Sequence, residues 1–174
     1  MTAPTRLMPI GEILADGHYQ RIPLPIRITK VTGWLRRMGV DLPGAFAPLL
    51  ARCESGPEAR FLWEFCTRPG VRLPCDELVG VPPLAVFPQY RWTRYRLDFY
   101  LDDGRRTLGV EIDGLAFHNT TADQVAADYA RQRAIVAGLC PVMRFTAREA
   151  TGDPAGCWSE IDAYLHAPEG PARV

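Results

Sequence analysis

Residues 94–118 read RYRLDFYLDDGRRTLGVEIDGLAFH, and the way this stretch folds back on itself decides the fold. From Arg94 to Phe99 polar and apolar residues alternate, the period of a half-buried strand. Arg94, Arg96 and Asp98 fall on one face, and Tyr95, Leu97 and Phe99 on the other. A second alternating run spans Thr107 to Asp113, with Leu108, Val110 and Ile112 on one face and Gly109, Glu111 and Asp113 on the other. Between them lies Asp102-Asp103-Gly104-Arg105. Asp-Gly flanked by two such runs signals a hairpin. With Asp103 and Gly104 as the loop, Asp98 lies opposite Gly109 and Arg96 opposite Glu111. Asp98 and Glu111 are then diagonal neighbours roughly 7–8 Å apart, with Gly109 leaving room above the strand. A one-residue bulge would turn one of the two acids to the other face.

Carboxylates crowded on one face need a compensating cation, proton or arginine. Two acids at this spacing can converge on a divalent ion, and magnesium takes hard oxygen ligands while keeping several waters. Asp98 and Glu111 suit that role, with the Ile112 backbone carbonyl as a further ligand and Asp113 placed to position water. An ion held there would supply the charge sink and activated water of phosphodiester hydrolysis. His118, on the following loop, carries an imidazole suited to acid–base work near neutral pH. The competing reading is a solvated sheet face, with His118 making only local hydrogen bonds.

The flanks extend the pattern. Ser55-Gly56-Pro57-Glu58 opens a helix running to about Cys66; Ser55 and Glu58 form a capping box, so Glu58 is either a cap or a functional acid. Leu84 to Tyr90 reads as a strand whose Pro88 marks an edge or bulge. Thr121 and Gln124 cap a helix over residues 122–137, with Val125, Tyr129, Val136 and Leu139 expected against the sheet and Asp128, Arg131 and Ile135 on another face. Cys140 to Phe145 is a short strand, and Asp153-Pro154 caps a last helix. Upstream, 22–28 reads as extended, and Thr29 to Met38 as a helix stopped by Gly39. A further helical stretch starts at Asp41 and runs to Ala51. The expected fold is α/β, an αβββαβ core with a mixed sheet flanked by helices. Residues 1–53 form a small, mostly helical N-terminal appendage, 54–166 the main domain, and 167–174 a frayed tail.

Composition sets the outer bounds. The 174 residues are 47% hydrophobic and 23% charged, with zero formal net charge, so no whole-protein field announces a polyanion. Lys30 is the single lysine, while arginines cluster near the hairpin at 91, 94, 96, 105 and 106. Such a basic rim binds phosphates. The five cysteines include no CxxC pair, which points to buried thiols in a cytoplasmic protein rather than disulfides or zinc. No run reaches the roughly 18 apolar residues of a membrane span.

Together, Glu58, Arg96-Leu97-Asp98-Phe99, Val110-Glu111-Ile112-Asp113-Gly114 with His118, the Asp128–Arg131 helix and Arg144-Phe145-Thr146 resemble the Vsr-like (very-short-patch-repair endonuclease-like) branch of the PD-(D/E)XK nuclease superfamily. The resemblance covers about residues 54–150. It implies a restriction-endonuclease-like core and Mg2+- or Mn2+-dependent cleavage of DNA in repair, a mobile element or phage defence. On that resemblance Glu58 matches the first-helix acid, Asp98 the metal-binding aspartate, Glu111 the acid of the motif strand and His118 the histidine that follows it. Arg94, Arg96, Arg131 and Arg133 would contact nucleic acid, and a protein partner or a second copy of the chain is a further expected contact. Asp113 stands where the motif has lysine and cannot supply that positive charge. The alternative is therefore a catalytically inactive nucleic-acid-binding or regulatory, antitoxin-like module on the same fold.

Overall fold

The computed structural model of the chain describes residues 24–40, 46–68, 84–114 and 121–168. Helices α1 (Leu24–Arg37), α2 (Ala47–Leu50) and α3 (Gly56–Cys66) come first. Strands β1 (Ala85–Trp92), β2 (Tyr95–Asp102) and β3 (Thr107–Asp113) follow, then α4 (Ala122–Gly138), β4 (Val142–Thr146), α5 (Ala147–Gly152) and α6 (Pro154–Leu165). The strands form one sheet in the order β1-β2-β3-β4, antiparallel except for the parallel β3–β4 pair. The described chain is thus α/β, with a mixed sheet flanked by helices. Pro88 lies in β1, an edge strand, where a missing amide is tolerated.

Local signals explain most boundaries. Ser55 Oγ accepts the Glu58 amide at 3.3 Å, Thr121 and Gln124 make the reciprocal box, and Asp153 Oδ1 accepts the Gly156 amide at 2.9 Å. A second reciprocal box, Thr146 with Glu149, opens α5, an element the sequence reading lacks, whereas the box expected at Ser55 is only half formed because the Glu58 carboxylate takes the Glu54 amide. Helix α1 begins at Leu24 rather than Thr29, so residues 24–28 are helical instead of extended. Pro25 sits in its first turn, where the lost N–H is harmless. Gly39, at φ +76°, ends α1 as expected. Of the stretch expected to start at Asp41, 41–45 lies outside the described residues.

The β2–β3 turn corrects the expected register. The last pair is Asp102 with Thr107, leaving a four-residue loop. Asp102 Oδ1 accepts the Gly104 amide at 2.8 Å and Asp103 Oδ1 the Arg105 amide at 2.8 Å. These side-chain bonds let the two aspartates build a wider turn than Asp-Gly alone requires. Gly109 therefore lies opposite Tyr100, and Phe99 opposite Val110. The ladder ends at that pair, and Asp98 and Glu111 are the next residues beyond it on the two strands. The expected room above Gly109 is filled: a Cβ there would stand 3.0 Å from Leu97 Cδ1 and 3.2 Å from Val142 Cγ2.

The sheet has an apolar cluster on each face. The larger joins Phe61 and Phe65 of α3 to Phe99, Leu101, Leu108, Val110, Phe145 and Trp158, and takes in Val31, Leu35 and Leu50 from the N-terminal helices. Its centre is the Phe61–Trp158 stack at 4.6 Å, tied by Trp158 Nε1 donating to the Phe61 carbonyl at 2.9 Å. The smaller cluster holds Leu97, Ile135 and Cys140. Leu97 and Phe99 are two residues apart yet lie in different clusters, so the alternation expected from Tyr95 to Phe99 breaks at Asp98. Cys53, Cys66, Cys140 and Cys157 are free and buried; Cys75 lies outside the described residues.

Helix α4 also presents a different side from the one expected. Ile135 is 1% exposed, whereas Tyr129 is 57% exposed, with Val125 and Val136 open to solvent. The covered sheet face carries Glu111, Asp113 and Arg144, so the helix meets it with Asp128 and Arg131. Charge pairing outweighs the apolar stripe. Ile135→Ala should accordingly cost about 2–4 kcal/mol. Tyr129→Ala should stay within about 0.5 kcal/mol. Urea denaturation of the two variants checks this, and the order reverses if Tyr129 lies against the sheet.

Candidate active site

The break in alternation builds the site. Pro88 pairs with Phe99 and Tyr90 with Leu97, while Gln89 and Asp98, between those pairs, do not pair. Gln89 has φ +55°, a left-handed conformation that costs a non-glycine residue of order 1 kcal/mol. Here both strands redirect their side chains. On β2, Asp98 Oδ2 reaches sideways and accepts the Ile112 amide of β3 at 2.7 Å, replacing a ladder bond with a carboxylate. A strand residue's N–H and C=O point to the same side, so the Ile112 carbonyl faces this gap as well.

Glu58 enters from α3. It is buried, and its Oε2 accepts the Glu54 amide at 2.8 Å and Gln89 Nε2 at 2.7 Å. The sequence-level choice between cap and functional acid is thus joined: Ser55 accepts the Glu58 amide, while the Glu58 carboxylate turns to the sheet. Burial raises the Glu58 pKa. Asp98 is pushed up to about 7, first by burial and then by the Glu58 charge, with Glu111 a smaller contributor. Glu58 and Asp98 make no ion pair among the described residues.

Glu111 and Asp113 are held by arginines. Arg131 of α4 donates to Glu111 Oε1 and to the Arg96 carbonyl, closing the opening between β2 and β3. The hydrogen bond that Arg131 donates to Glu111 raises the Arg131 pKa. Arg144 of β4 grips Asp113 with Nε at 2.9 Å and Nη2 at 2.8 Å, reaches Asp128 with Nη1 at 2.9 Å, and passes 3.9 Å from Glu111 Oε2. Asp113 therefore anchors a cation beside Glu111 instead of standing free to position water. Among the other candidates, Arg96 pairs with Glu54 at 2.7 Å, Arg94 lies over the Tyr95 ring, and Arg133 is exposed. His118 lies outside the described residues.

The structure thus brings Glu58, Asp98, Glu111, Asp113 and Arg131 to one end of the sheet. It adds two residues that sequence reasoning does not single out as site residues, Gln89 and Arg144. Arg144 leaves one signal, a lone charge in the apolar strand CPVMRF; Gln89 leaves none. Among the described residues, no three Asp, Glu, His or Cys side chains stand close enough to hold a metal alone. Carbonyl oxygens and water would complete any shell, the habit of magnesium. The donors fit such an ion: all are hard oxygens, and Gln89 Oε1 is buried without a partner.

No family model matches the chain, and no curated protein or solved structure matches it.

The Asp98 shift has a definite consequence for metal-free protein. The unfolded chain loses this proton near the ordinary value of 3.8 and the folded chain near 7. Between those values the folded state binds more protons, so stability falls as pH rises from about 4 to about 7 and is level above. Asp98→Asn removes that loss. In chelator-treated urea melts it should exceed wild type above pH 7 by on the order of 1–3 kcal/mol, and the gap should close near pH 4. A gap independent of pH would contradict the assignment.

Proposed function

We propose that the chain is a divalent-metal-dependent endonuclease acting on DNA, with the restriction-endonuclease-like core of the Vsr-like branch of the PD-(D/E)XK superfamily. The observation that carries this reading is Asp98 in the gap between β2 and β3. It has Glu58 on one side and Glu111 nearby on β3, and no arginine is ion-paired with it among the described residues. The element order from α3 to β4 supports it. No helix among the described residues is long and apolar enough to cross a membrane.

In this reading Asp98, Glu111 and the Ile112 carbonyl hold Mg2+ or Mn2+, which when bound supplies the charge sink and activated water of phosphodiester hydrolysis. The chain's own residues set the frame. The Ile112 amide fixes one Asp98 oxygen and leaves the other for a ligand. Arg131 and Arg144 place positive charge beside Glu111, where the motif lysine is missing. Arg94 and Arg133, on the rim, meet the phosphate backbone.

Plasmid and single-stranded DNA should be cut in the presence of Mg2+ or Mn2+ and spared with chelator. Asp98→Ala and Glu111→Ala should each lose more than the roughly 10–100-fold that outer-shell changes cost. Full cleavage by either variant would remove the assignment. A second reading, a non-cleaving nucleic-acid-binding or regulatory module, is favoured by the two arginines on Glu111. Salt-dependent DNA binding with no cleavage in either metal would select it.

A further inference from the structure

Helix α4 is 17 residues long, yet Ile135 is its one buried residue. Three of its large apolar side chains are open to solvent: Val125 at 40%, Tyr129 at 57% and Val136 at 49% exposure. With Gln132 they stand three or four residues apart, which puts all four on one stripe of the helix. Large apolar side chains gathered on one exposed strip mark an interaction surface. Asp128 fixes where the stripe lies. It is three residues from Val125 and four from Gln132, and it pairs with Arg144 of β4, whereas Arg131 reaches Glu111 of β3. The stripe is therefore on the β4 side of the helix, and β4 is the last strand of the sheet. It looks outward past the edge of the sheet.

The order of residues along the stripe says what covers it. Val125, Tyr129, Gln132 and Val136 are separated by four, three and four residues. That spacing is unchanged on reversal about a midpoint between Ala130 and Arg131. A second copy of the helix, laid antiparallel about a two-fold axis at this midpoint, sets Val125 against Val136 and Tyr129 against Gln132. Each pair then occurs twice, as an isologous contact requires. The outer pairs are apolar. The inner pairs join a phenol to an amide, and each of these groups both donates and accepts hydrogen bonds. Gln132 interrupts the stripe as a core-facing surface but completes it for this contact. Antiparallel helices also set the positive N-terminal end of each beside the negative C-terminal end of the other.

We propose that the chain self-associates through α4 as a two-fold dimer, the stripe of one copy lying antiparallel on the stripe of the other. This goes beyond the nuclease reading and does not rest on it. Two short stripes bury less than the roughly 1,200 Å2 at which stable interfaces begin, so the dimer is weak and forms with rising concentration.

Sedimentation of the full chain over a series of micromolar concentrations, without DNA and with chelator, tests this. Wild type should pass from monomer to dimer. Tyr129→Ala should weaken the dimer at least about tenfold, and Val136→Asp should abolish it. Ala130→Glu, exposed on the same helix but off the stripe, should dimerise as wild type does. Cysteine placement checks the orientation. Under mild oxidation Val125→Cys chains mixed with Val136→Cys chains should crosslink, and neither should crosslink with itself. A wild type that stays monomeric at every concentration overturns the proposal. So does a dimer indifferent to both Tyr129→Ala and Val136→Asp, or one in which Val125→Cys crosslinks with itself. If Val136→Asp lowers the melting temperature of the dilute monomer, the stripe is covered within its own chain and the two-fold contact is excluded.

Discussion

At Gln89 and Asp98 two neighbouring strands exchange the faces that their side chains occupy. A regular ladder would put Leu97 and Phe99 in the same core, and the acids of β2 wholly on one face. Instead Leu97 packs under α4 and Phe99 against Phe61 of α3. Asp98 is left between the faces, able to reach the Ile112 amide along the plane of the sheet. That lateral bond opens the β2–β3 ladder beyond Phe99–Val110, and Arg131 enters the opening. Glu58, approaching from one face, and Glu111, rooted on β3, both lie near Asp98 because the sheet is split there.

The split site is poor in stabilising interactions and the rest of the molecule is rich in them. The core around Phe61 and Trp158 is tightly stacked, with its one buried indole N–H satisfied. Buried like charges, an orphaned amide oxygen and a left-handed glutamine all sit where α3 meets β1 and β2. Strained backbone and buried like charges brought to one point are a common mark of a functional site. A purely structural protein would gain by replacing Asp98 with a neutral residue.

Much of this was legible in the sequence. The strand limits of β3 and the caps of α3, α4 and α6 follow from local patterns, whereas Glu58 joins Asp98 and Glu111 in the sequence reading only through the family resemblance. Three things were hidden for physical reasons. The β2–β3 register depends on Asp102 and Asp103 bonding to loop amides, which a rule keyed to Asp-Gly does not weigh. The orientation of α4 was read from Val125, Tyr129 and Val136, but its inner face is chosen by the acids and arginine of the sheet beneath it. The role of Gln89 depends on a backbone angle that no side-chain pattern announces.

Asp113, the one mismatch with the nuclease motif, looks different once its partner is known. An aspartate in place of lysine changes the local charge by two units. Arg144, from the parallel neighbour strand, returns one of them and stands 3.9 Å from Glu111; Arg131 returns the other. The exchange is not equivalent chemically. An arginine stays protonated at any pH the protein meets, whereas a lysine can give up its proton. Arginines here can fix charge and orient a phosphate, but they cannot accept a proton from an attacking water. On the nuclease reading that task falls to a carboxylate. Glu58 is raised by burial, carries no arginine on its oxygens and lies outside the Asp98–Glu111 ligand pair, so on that reading it is the acid placed to take the proton.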